Sequence, residues 1–72
     1  MNLRLQKFAP VDREHPIIEV VGETGDVLFD LSRNDAGVLG MGFHPALSNC
    51  VLPYDQVIKF IEMAKVRVQE ED

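Results

Sequence analysis

The chain has 72 residues, 46% hydrophobic and 26% charged, and its twelve acidic and seven basic side chains give a formal net charge of −5. This is the composition of a globular chain rather than a disordered one, and its length suits one small domain over residues 1–72. The acidic balance argues against a nucleic-acid partner, because a phosphate-backbone binder needs clustered Lys and Arg.

No stretch approaches the roughly 20 apolar residues that cross a bilayer, and Arg4 and Lys7 interrupt what would have to be the apolar core of a secretory signal. A cytoplasmic protein with no membrane partner is expected. Glu70, Glu71 and Asp72 place three acidic charges in a tail rather than across a face. A lone cysteine, Cys50, excludes an intramolecular disulfide. Stability in so small a domain must then come from a well-packed core, a metal or a partner.

Leu3 and Leu5 alternate with Arg4 and Gln6, a short period-two pattern that suits an edge strand. Ala9 to Pro16 holds two prolines and the charged run Asp12, Arg13 and Glu14, and reads as a loop. Ile17 to Val21 is β-branched apart from Glu19, and Val27 to Leu31 follows after Gly22-Glu23-Thr24-Gly25-Asp26. That connection, with two glycines able to take positive φ, predicts a β-hairpin. Arg33 to Gly37 is a second turn, and Val38 to Phe43 returns as the next strand.

His44 to Asn49 reads as a loop, and Pro53 suits the first turn of a helix. From Tyr54 the apolar period changes from two to about 3.6, placing Tyr54, Val57, Ile58, Ile61, Ala64 and Val68 on one stripe with Phe60 at its margin. The acidic tail at the negative end of the helix dipole predicts an end near Gln69 and fraying beyond it. The expected fold is α+β: a three- to four-stranded antiparallel meander with one C-terminal amphipathic helix on one face.

One helix covers one face of a sheet. Val27, Phe29 and Leu31 are expected beneath it, which leaves Leu28 and Asp30 on the other side. The neighbouring strand carries apolar residues on both faces, so Ile18 and Val20 are expected with Leu28 and Asp30 on an uncovered surface. Met63 and Val66 lie on the outward side of the helix. These six residues, Ile18, Val20, Leu28, Asp30, Met63 and Val66, form the expected partner surface, and uncovered apolar area of this kind marks association sites.

Candidate chemistry is sparse. Gly37-Val38-Leu39-Gly40-Met41-Gly42 is glycine-rich, yet Phe43, His44 and Pro45 follow where a phosphate loop needs a helix N-terminus. Strand glycines that shape a surface explain it better. His44 and Cys50 are the alternative site, since an imidazole beside a thiol is the minimum for a cysteine nucleophile. Their spacing matches no nucleophile motif, and buried structural cysteine is the commoner fate. His15, His44 and Cys50 lack the local pairing that fixes metal ligands, so neither metal nor cofactor is expected.

Size and build, a small acidic meander with a terminal helix, are similar to those of bacterial immunity proteins that neutralise toxin domains. The likeness covers architecture and carries no residue across. The uncovered apolar sheet surface, the acidic balance and the lack of a convergent catalytic set are what point to a non-catalytic interaction protein, an inhibitor, immunity-type protein or accessory subunit that binds a protein partner or forms a homodimer. A small enzyme or ligand-binding domain built on His44 and Cys50 is the alternative.

Overall fold

The computed structural model describes the backbone of residues 2–71 and the side chains of residues 2–70. Four strands form one antiparallel sheet in chain order: β1 (Arg4–Phe8), β2 (Ile17–Val21), β3 (Val27–Arg33) and β4 (Leu39–Phe43). A 3-10 turn (Pro45–Asn49) and a single helix, α1 (Tyr54–Glu71), follow. The architecture is therefore the α+β meander with one C-terminal helix that the hydrophobic periodicity predicts. Arg4–Phe8 supplies the fourth strand, with Leu3 buried just ahead of it.

Turn chemistry sets the strand boundaries. Between β2 and β3 the Gly22 amide donates to Asp26 O at 3.0 Å, and Gly25 takes φ 89°. Between β3 and β4 the Asn34 side chain organises the chain: its Oδ1 accepts from the amides of Ala36 and Val38, at 2.9 and 3.0 Å. Gly37 closes that turn at φ 79°, a conformation open to glycine at little cost. Because the Val38 amide is spent on Asn34, β4 begins at Leu39, one residue later than the apolar run suggests.

Register decides the core. Ile18 lies opposite Leu31 and Val20 opposite Phe29, and directly opposed residues of an antiparallel pair share a face. Ile18 and Val20 therefore sit beside Phe29 and Leu31 beneath α1, fully buried at 0% exposure. The register shifts between Val20 and Val21, which pair with Phe29 and Val27. That irregularity carries Leu28 into the same buried cluster, at 2% exposure. The expectation that Ile18, Val20 and Leu28 lie on an uncovered sheet surface is thus corrected.

The face away from the helix has a polar centre, where Gln6, Glu19 and Asp30 lie in register across β1 to β3, and the same face carries Phe8 opposite Ile17 and Arg4 opposite Val21. Phe8 is 51% exposed there and Val21 is wholly buried. Gln6 Nε2 donates to Glu19 Oε1 at 2.7 Å, and Arg4 donates to Gln6 Oε1 at 3.1 Å. An antiparallel sheet can leave such a face in water.

The helix packs on β1, β2 and β3. Ala64 and Val68 are its buried contacts, with Val57, Phe60 and Ile61 packed around them, while Tyr54 and Ile58 are exposed. The apolar stripe is thus rotated from the expected one: Phe60 joins it and Tyr54 and Ile58 leave it. The helix also continues to Glu71, past the expected end at Gln69. Acidic residues at a helix C-terminus cost only about 0.3–1 kcal/mol, and no glycine or proline intervenes to stop it. Asp72, the end of the tail expected to fray, lies outside the described residues.

Candidate functional site

On the polar face, Asp30 stands in the middle of β3 with Gly42 of β4 directly across from it. A Cβ at position 42 would fall 2.8 Å from Asp30 Oδ1, so the glycine is what gives the carboxylate its place. The other oxygen, Oδ2, reaches His44 Nε2 at 2.6 Å. His44 itself is fixed at the end of the β3–β4 ladder, where its amide donates to Leu28 O at 3.0 Å.

Beside this pair is a shallow cleft of about 320 Å³ lined by Arg13, Asp30, Ser32, Asn34, Gly40 and Gly42 among others. The Arg13 guanidinium crosses from the β1–β2 loop and donates to Ser32 Oγ and Arg33 O at 3.4 and 3.5 Å. Asp30 is therefore engaged inside the fold, tying β3 to the entrance of the 3-10 turn, rather than offered to a partner.

The His44 and Cys50 pair is not assembled as a nucleophile and its base. The Cys50 thiol donates to Ala46 O at 3.4 Å, closing the 3-10 turn, and the imidazole Nε2 is occupied by Asp30. Activation of a thiol requires the imidazole to take its proton directly, and here that hydrogen points at a backbone carbonyl. Among the described residues, no group of three or more His, Cys, Asp or Glu side chains is placed to hold a metal ion. Among the described residues, no helix is long and apolar enough to cross a membrane.

On the other face, apolar surface is left uncovered on both sides of the helix. Met63 and Val66, with Leu5 of β1 and the flanking Glu62 and Arg67, line an open groove of about 410 Å³. Met63 and Val66 are 40% and 48% exposed. On the far side, Met41 and Phe43 of β4 lie in register with Leu31 and Phe29, yet are 42% and 70% exposed because the helix lies over β1 to β3.

Of the six residues expected to form one partner surface, the structure thus puts three in the core, one in a hydrogen bond with His44 and two in the groove. Leu5, Met41, Phe43 and Arg13 were not singled out from the sequence. The signal for Leu5 was its alternation with Arg4 and Gln6, and for Met41 and Phe43 the two glycines beside them. Arg13 had none, since its reach depends on how the loop folds.

Comparison of this chain with protein-family models, with curated proteins and with solved structures gives no match.

Proposed function

We propose that this chain is a non-catalytic protein-interaction module that receives an apolar side chain of a basic protein partner in the groove between β1 and α1. The observation that carries the reading is that groove: Met63 and Val66 stand exposed beside Leu5, flanked by one acid, Glu62, and one base, Arg67. Isolated surface apolars are ordinary, but several grouped around one concavity with a charged rim resemble the centre of a binding patch. The formal charge of −5 favours a basic partner through attraction during encounter. Inhibitor, immunity-type and accessory-subunit roles all fit this reading, since none requires the chain to perform chemistry.

The alternative, an enzyme using His44 and Cys50, draws less support because each group is hydrogen-bonded to a different acceptor. The test is calorimetric titration of a purified partner recovered by affinity capture. Binding that weakens at least about tenfold in Met63→Asp, falls with added salt and is unchanged in Cys50→Ser supports the groove. Binding indifferent to Met63→Asp would reject it.

A further inference from the structure

We infer that the chain forms a twofold dimer by antiparallel pairing of β4 with β4 of a second copy, giving one continuous eight-stranded sheet. The inference rests on the outer edge of β4, independently of the groove.

The backbone shows which groups are free. At one end of the β3–β4 ladder Val38 O accepts from the Asn34 amide, and at the other the His44 amide donates to Leu28 O. Antiparallel ladders alternate hydrogen-bonded and non-hydrogen-bonded pairs, so Val38, Gly40, Gly42 and His44 direct their backbone groups at β3. Leu39, Met41 and Phe43 direct theirs outward, where no strand among the described residues lies beside them.

A second copy matches this edge. With the twofold axis at Met41, Met41 pairs with its counterpart, and Leu39 and Phe43 of each copy pair with Phe43 and Leu39 of the other. All three outward residues then sit in hydrogen-bonded pairs, giving about six hydrogen bonds. A register shifted by two residues keeps only two such pairs, so the chemistry selects this one. On the covered face the new neighbours are Met41 with Met41 and Leu39 with Phe43. On the other face glycines meet glycines.

Charge separates this edge from the other. Leu39–Phe43 carries no charged residue, whereas the opposite edge strand, β1, carries Arg4 and Lys7. Charged side chains are how edge strands resist pairing, and β4 lacks that protection. Its length is bounded by Gly37 at positive φ and by Pro45, so it offers one short, defined segment.

Area is the remaining requirement. A specific interface takes about 800 Å² from each partner, roughly a sixth of the 4685 Å² this chain exposes, so five-residue strands need help from side chains. Phe43 and Met41 supply part of it, and the exposed apolar side chains on the helix flank away from β1 are a further source. Met63 lies about 100° to one side of the buried Ala64 and Ile58 about 120° to the other. Since the Met63 flank borders β1, Ile58 and the exposed Tyr54 are on the β4 side.

The experiment is sedimentation velocity on the full chain across a concentration series to about 500 µM, with and without added salt. Wild type should form a species of twice 8.1 kDa. Because two bodies of like charge repel, this dimer should tighten with salt, opposite to the partner bound in the groove. Met41→Pro removes an outward N–H that β3 does not use, and Met41→Lys sets two like charges across the axis. Both should keep the wild-type circular dichroism spectrum and weaken the dimer at least about tenfold. If Met41→Pro fails to fold, Met41→Lys alone decides. Met63→Asp should leave the dimer intact. A monomer throughout, or a dimer unaffected by Met41→Lys, would overturn the proposal.

Discussion

Gly42 faces Asp30 across β3 and β4, and the absent side chain is what leaves the carboxylate room to reach His44. Gly40, two residues earlier on the same face, meets nothing within 4 Å of an added Cβ, and neither glycine has positive φ. Alanine should therefore have opposite effects at the two positions. Gly40→Ala should stabilise by about 0.4–1 kcal/mol through the unfolded state. Gly42→Ala should destabilise by about 1 kcal/mol, since the carboxylate must move and its partly buried pairing with His44 is modest in value. In an Asp30→Ser background the penalty at position 42 should vanish. Urea titration of the four variants measures this, and equal effects at both glycines would show that Asp30 is not held there.

Asn34 builds the β3–β4 turn by accepting two backbone amides on one oxygen. Asn34→Asp preserves that acceptor and Asn34→Ala leaves both amides to water. The alanine variant should lose about 1–2 kcal/mol and the aspartate variant less than half of that. Thermal unfolding compares them directly, and equal losses would place the turn's stability elsewhere, in Gly37.

The strand order was legible because Gly22–Asp26 and Arg33–Gly37 carry turn chemistry whatever surrounds them. Which face of β2 is buried was harder to read, since Ile17 and Val21 are as apolar as Ile18 and Val20. Glu19 held the answer: alternation places it opposite in sense to Ile18 and Val20, so a solvated carboxylate there implies that both neighbours are buried. Asp30 marks β3 in the same way. The irregular register at Val20 and Val21 has no such marker, which is why Leu28, on the side of Asp30 by simple alternation, ends in the core. The Asp30–His44 pair depends on a rotamer and a strand end meeting, and no spacing in the sequence encodes that.

Phe29 and Phe43 are cross-strand neighbours on one face, yet the first is 2% exposed and the second 70%. The same substitution should separate them sharply. Phe29→Ala should cost about 3–5 kcal/mol, the usual price of emptying a packed aromatic site. Phe43→Ala should cost below about 1 kcal/mol when measured at low micromolar concentration, where any dimer is dissociated. Chemical denaturation gives both values, and a large loss at Phe43 in the dilute chain would mean that α1 covers β4 as well.

Val20 offers the clearest test of the register, because the two possible assignments of its side chain give contrary outcomes. Were it on the solvent face, Val20→Lys would place an ammonium in water and change stability by a few tenths of a kcal/mol. In the structure Val20 is wholly buried between Leu5 and Phe29 in the strand order. A lysine there must bury an unpaired charge or pull β2 away from the helix, and either costs several kcal/mol. A folded chain of 72 residues holds only about 4–11 kcal/mol in total. Val20→Lys should therefore leave the chain largely unfolded at 25 °C by circular dichroism, while Glu19→Lys, one position along and on the polar face, should remain folded. A folded Val20→Lys chain would mean that β2 presents its other face to the helix.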